Sequence, residues 1–261
     1  MPQTVVPSLH QLPVEHAVEY GGAMPRYGQL NESYIASWFA QDEPGGPMWA
    51  LNLMKYRERA EYADGRKASI SGMEADDVYA PHEHLRKVGS RLIMMAPVVH
   101  QLVGDGQAWD RIAIAQYRDR MAMIEMSSNA DFKADEEHKE AGMDFTIVMA
   151  TFPVDGDPVP PQQSAADDDR LMLLQVVADP GAPDIAADVE STRIGRFAIE
   201  DRMIGDDRTF AEARYDLISQ AVADELAARG TTQSDTDYVV IADPAFDDIA
   251  RSLTDTTTVL F

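Results

Sequence analysis

With 261 residues and 45% apolar content, the chain has material for one large domain or two small ones around a sizeable core. Its 45 acidic residues against 22 basic ones leave a formal charge of -23, which repels phosphate backbones and anionic headgroups and so disfavours nucleic-acid and membrane-surface partners. The absence of cysteine excludes disulfides, thiolate catalysis and Cys-ligated metal or iron–sulfur sites.

The stretch from Met1 to His10 carries no basic region followed by a long apolar run, and no apolar run approaches the roughly 18–20 residues that span a bilayer. A soluble cytoplasmic protein is expected. Residues 1–46 form an extension in which Pro2, Pro7, Pro13, Pro25 and Gly21-Gly22 interrupt regular structure. One helix is predicted there, from Asn31 to Gln41, with Asn31 as N-cap and Tyr34, Ile35, Trp38 and Phe39 at helical spacing. Pro44-Gly-Gly-Pro47 ends it.

Residues 47–153 are the organising unit. Met48 to Arg57 alternates as a buried strand, with Trp49, Leu51, Leu53 and Lys55 on one face and Ala50, Asn52, Met54 and Tyr56 on the other. Ser71-Gly-Met-Glu74 has capping-box spacing and opens a helix whose apolar positions are Ala75, Val78, His82, Leu85 and Val88, kinked or interrupted at Pro81 and stopped by Gly89. Arg91 to Val103 is a strand bent at Pro97, Gly104-Asp-Gly106 a turn, and Trp109 to Tyr117 the returning strand. A helical pattern from Asp119 to Ala141, broken near Ser127-Ser-Asn129, precedes a strand from Phe145 to Phe152. The order βαββαβ predicts a four-stranded antiparallel sheet backed by helices, the ferredoxin-like arrangement.

Residues 154–169 are acidic and proline-rich, a linker. The order then recurs over 170–243: strand Leu171–Val177, short helix Asp184–Val189, strand Arg193–Ile204, an ambiguous Phe210–Ser219, helix Gln220–Arg229 and strand Tyr238–Ala242. Leu102-Val-Gly-Asp105 is echoed by Met203-Ile-Gly-Asp206, which suggests a duplicated, divergent unit. Residues 244–261 carry a last helix, Pro244 to Leu253, and a strand, Thr257 to Phe261, outside the repeat. The expected fold class is α+β: tandem ferredoxin-like units with antiparallel sheets in a barrel.

Leu51-Asn-Leu-Met-Lys-Tyr-Arg57, Lys87-Val-Gly-Ser-Arg91 and Trp109-Asp-Arg-Ile-Ala-Ile114 give the first half a resemblance to the dimeric α/β-barrel superfamily. Within it, the likeness is to a widespread bacterial family of small ferredoxin-like proteins of unknown function. The resemblance covers about 110 residues, one domain in size. It implies a homodimer or a barrel built from the chain's own halves. It also implies one of several chemistries that this fold hosts: cofactor-independent monooxygenation, lactone isomerisation or haem-dependent reactions.

Among residues that carry chemistry, Asn52 and Tyr56 share a strand face and suit the orientation of a carbonyl or enolate. His138, on a helical stripe with Ala134 and Ala141, is the candidate proton-transfer group; with Asn52 and Tyr56 it completes the expected catalytic set. Lys55, His82, His100, Trp109 and Tyr117 are the expected substrate contacts, with His100 placed to line the barrel interior and Lys55 at the strand end near water. His10 and His16 lie in the irregular leader. His82-Glu-His84 does not suit a metal on a helix, and no metal is expected. No phosphate loop, serine elbow or zinc helix is present.

The expected function is therefore a cofactor-independent monooxygenase or an isomerase or lyase acting on a largely apolar small molecule, in a chamber where two sheet faces meet. The alternative is a non-catalytic ligand-binding or regulatory module. A third reading is a haem enzyme with His84, His100 or His138 as axial ligand.

Overall fold

The computed structural model describes residues 25–41, 45–79, 81–154 and 170–254. The expected leader structure before residue 25, the linker over 155–169 and the strand Thr257 to Phe261 lie outside the described residues. Strands β1 (Gln29–Leu30), β2 (Met48–Tyr56), β3 (Arg91–Gly104), β4 (Arg111–Tyr117) and β5 (Met143–Pro153) belong to the first part of the chain. Strands β6 (Leu171–Val177), β7 (Ser191–Gly205), β8 (Glu212–Ile218), β9 (Thr232–Gln233), β10 (Tyr238–Ala242) and β11 (Phe246–Asp247) belong to the second. The helices are α1 (Glu32–Trp38), α2 (Gly72–Tyr79), α3 (His82–Lys87), α4 (Arg120–Ser128), α5 (Ala130–Gly142), α6 (Gln220–Ala228) and α7 (Ile249–Thr254).

Eight strands run in the order β7-β5-β2-β4-β3-β10-β6-β8, and β8 returns to β7, so the antiparallel sheet closes on itself. Closure happens within one chain, through the seams β5–β7 and β3–β10. The first four long strands lie side by side as fourth, first, third, second; the next four repeat that order as β10-β6-β8-β7. The echoed turns also meet. Arg208 reaches Asp105 at 2.5 Å and Asp206 at 2.5 Å, tying the ends of the two long strands together.

Alternation along β2 holds as the sequence implies. Trp49, Leu51 and Leu53 point into the barrel, where they pack with Ile112, Ile114, Met149, Phe197 and Tyr215 into a filled interior. The expected chamber between sheet faces is therefore absent among the described residues; aromatic side chains occupy that space, Trp49 against Phe197 at 5.0 Å and Trp109 against Tyr238 at 5.4 Å. Ile249 and Ala250 of α7 join the same interior cluster, and Lys55 pairs with Asp110 at 3.0 Å.

The outer face is covered by helices. Asn31 caps α1 by accepting from the Tyr34 amide at 3.2 Å, and Tyr34, Ile35 and Trp38 pack on Ala50, Ala150 and Met203. The capping box forms as expected: Glu74 accepts from the Ser71 amide at 2.7 Å, and the Ser71 hydroxyl accepts from the Glu74 amide at 3.2 Å. Gly72 and Gly142 let α2 and α5 touch, since a Cβ on either would overlap the other's carbonyl oxygen. Arg57 donates to the carbonyl oxygens of Glu140, Ala141 and Met143, a cation at the C-terminal end of α5.

On the second half, the outer face is sealed by ion pairs. Arg193 donates to Asp216 at 2.7 Å and to Asp184 at 2.6 Å, Gln175 donates to Asp184 at 2.7 Å, and Arg214 holds Glu212 at 2.6 Å. Only one turn of 3-10 helix, Ile185–Asp188, lies where the first half has α2 and α3. Phe210 to Ser219, left ambiguous by the sequence, is strand β8 running into the Ser219 cap of α6.

Candidate functional site

A cavity of about 60 Å3 lies between the outer face of the first-half sheet and the helices above it. Its floor is Asn52 and Met54 of β2 with Ala113 and Ala115 of β4, whose small side chains leave the space. Leu92 and Met95 of β3 form one wall. Both face outward because the register slips between Leu92 and Met94, so the extra residue turns Ile93 and Met94 together into the core. Helices supply the roof: Asp76 and Tyr79 one turn apart on α2, Leu85 on α3, Met126 on α4 and Lys139 on α5.

Asn52 is fixed as an acceptor. Its Nδ2 donates to the Ala50 carbonyl at 3.0 Å, which leaves Oδ1 toward the cavity without a donor among the described residues. Tyr79 and Tyr117 line the same space, each 7% exposed, and their hydroxyls have no partner among the described residues. Burial holds both phenols well above the usual range, so they remain protonated donors near neutrality.

Tyr56 donates to Asp76 Oδ2 at 2.5 Å, and Arg111 reaches the same oxygen at 3.4 Å while holding Asp77 at 2.8 Å. Burial, and then the Asp76 charge, push the Tyr56 phenol up. Above the cavity the Lys139 ammonium rests on the rings of Tyr79 (5.4 Å) and Tyr27 (5.6 Å) and makes no ion pair among the described residues. Of its α5 neighbours, Asp135 is held by His84 at 2.8 Å and Glu140 by Arg26 at 3.2 Å, while Glu136, one turn back, feels the Lys139 charge without forming an ion pair. Burial raises the Glu136 carboxyl, one turn before Lys139.

Of the residues singled out from sequence, Asn52 and Tyr117 line the cavity and Tyr56 holds its Asp76. The others lie elsewhere. His138 faces the loop before α2, where its Nδ1 meets the Tyr62 hydroxyl at 2.7 Å, and it is the next residue, Lys139, that lines the cavity. His82 is exposed and His84 is the buried one, since the chain restarts helix at Pro81 and the phase changes. His100 pairs with Ile241 on the outer face, not the interior, because a register slip adds Val99 to β3. Trp109 belongs to the barrel core, stacked on Phe145, and Lys55 holds Asp110 rather than emerging free into water.

Among the described residues no imidazole lines this cavity, and His84 is committed to Asp135 and the Phe132 ring edge. Among the described residues no group of three His, Asp or Glu is placed to hold a metal ion. Nor is any helix among them long and apolar enough to cross a membrane.

No family model matches the chain and no curated protein matches its sequence. Two crystal structures of one Rhodopseudomonas palustris protein of unknown function, the first of them methylated, are similar to it. The first is 25% identical, covering 52% of this chain and all of that one with a TM-score of 0.45; the second is 23% identical, covering 52% and 98%, with 0.42. A proposed monooxygenase from Lactobacillus acidophilus is 9% identical over 78% of this chain and 96% of its own, with a TM-score of 0.35. All three scores lie below 0.5, so the description of the fold rests on strand order and closure: a mixed α+β chain around an eight-stranded antiparallel barrel.

Proposed function

We propose that the chain is a small-molecule enzyme of the dimeric α/β-barrel type, built from two ferredoxin-like units in tandem, that turns over a largely apolar organic molecule in the Asn52 cavity. The repeated strand order and the meeting of the echoed turns at Arg208 support the duplication. The observation that carries the site is the set of polar atoms left open toward one small apolar space: Asn52 Oδ1 and the hydroxyls of Tyr79 and Tyr117. None of the three atoms is sealed in the core without a partner, so each stays open to a molecule that enters the cavity.

The chemistry favoured by this arrangement is proton transfer next to a carbonyl, as in an isomerase or lyase. The phenols donate to the carbonyl oxygen as charge develops on it, and burial raises the Glu136 carboxyl beside Lys139, which makes it a stronger base than an exposed carboxylate. Cofactor-free monooxygenation begins with the same deprotonation and is the other reaction the site accommodates. A homodimer, if formed, would pair through outer surfaces, because the barrel needs no second chain to close.

Deuterium exchange tests the reading. A panel of small ketones, lactones and monocarboxylates is incubated with the protein in D2O and followed by NMR. Exchange at the carbon beside the carbonyl, lost in Asn52→Ala and Glu136→Gln, is the expected result. Binding without exchange for every compound would instead support the non-catalytic ligand-binding module.

A further inference from the structure

We infer that the ligand of the Asn52 cavity is a small apolar monocarboxylate, whose anionic oxygens sit between the Lys139 ammonium and the hydroxyls of Tyr79 and Tyr117. This rests on the reading of that cavity as a ligand site. Three donors converge there, one of them a full positive charge, and none has an acceptor among the described residues. Asp76, the carboxylate that lines the same space, is already engaged by Tyr56 and Arg111 and does not neutralise Lys139.

The Lys139 ammonium is half-buried against two aromatic rings, which return only part of the solvation that the covered side gives up. A carboxylate would restore it with a charge-assisted bond, roughly twice as strong as a neutral one. The same oxygens accept from the two phenols. A second charge on the ligand is disfavoured, because Asp76 and Glu136 lie near and no other free cation lines the cavity. Apart from the Asn52 amide, the remaining lining is apolar, with three methionines, two leucines, Pro81 and two alanines, which suits a short hydrocarbon body. The net charge of -23 opposes approach of an anion, but at physiological salt the field is screened over about 8 Å and contacts inside the cavity decide affinity.

The experiment uses the full chain with its methionine methyl groups labelled with carbon-13, since Met54, Met95 and Met126 line the cavity and report its occupancy. Isobutyrate and its near-isosteric neutral amide, isobutyramide, are titrated separately and followed by NMR. Isobutyrate is expected to shift the three methyls and to bind at least about tenfold more tightly than the amide, a difference of about 1.4 kcal/mol. Lys139→Gln is expected to abolish that preference by weakening isobutyrate far more than the amide, and Lys139→Arg to keep it. Equal affinities for acid and amide, or an undiminished preference in Lys139→Gln, overturn the inference and leave the cavity a ligand site. Shifts of none of the three methyls with either probe overturn both.

Discussion

The roof of the cavity is tied to the sheet by one short contact, the Tyr56 hydroxyl to Asp76 at 2.5 Å, and a double-mutant cycle measures it. Tyr56→Phe removes the donor and leaves the buried carboxylate with Arg111 alone, at 3.4 Å. Asp76→Asn keeps an acceptor of the same shape and removes the charge, while Arg111 keeps Asp77 at 2.8 Å. A hydrogen bond to a charged group is worth about 1.5–3 kcal/mol, so Tyr56→Phe is expected to cost about that much. Tyr56→Phe in the Asp76→Asn background should cost clearly less, giving a coupling energy of about 1–2 kcal/mol. Urea denaturation is the assay, with the midpoint moving and the slope unchanged. A coupling below about 0.5 kcal/mol would mean that the two side chains do not meet in the folded protein, and Asp76 would then have no fixed place beside Asn52.

Other expectations follow from the same coordinates. Gly142→Ala would place a methyl group on the Gly72 carbonyl and is expected to destabilise by about 1–3 kcal/mol, read from the same denaturation curves. Arg193→Met strands Asp216, 1% exposed, and is expected to cost about 3–5 kcal/mol at pH 7. The loss should shrink on acidification, because burial already raises the Asp216 carboxyl and protonation removes the stranded charge. Glu136 titrates in the folded state above its unfolded value, so it takes up protons more readily when folded and its contribution to stability falls as pH rises through that window. Glu136→Gln should therefore match the parent near pH 4 and be the more stable of the two at pH 7, by thermal melting. His138→Ala should lose the Tyr62 contact, about 0.5–1.5 kcal/mol, and leave the cavity methionine signals where they are.

Much of this fold is legible in the residues, and the parts that are not share a cause. Strict alternation on β2 separates Leu51 and Leu53 from Asn52 and Tyr56, and β6 and β10 begin and end where their apolar runs do. What alternation does not say is which face of β2 is left open, because that depends on side chains from β7, β8 and α7 filling the barrel. One inserted residue, Val99, puts His100 on the face opposite to the one its alternation implies, since a register slip reverses the side chains beyond it. His82 and His84 exchange roles where the helix restarts at Pro81. Glu136 and Lys139 sit at i and i+3 on the stripe that Phe132 defines, a pattern visible in the sequence as charged residues where a core-facing helix should be apolar. A search for imidazoles passes over them.

The two seams that join the halves are covalently tethered, so forming them carries no cost of bringing two molecules together. Barrel closure should therefore add no concentration dependence to melting, unlike a barrel assembled from separate subunits, whose midpoint rises with concentration by mass action. Tethering also frees each half from having to match an identical copy. One roof can stay concave around Asn52 while the other is locked down by Arg193 and Arg214, an asymmetry that no symmetric pair of chains can hold.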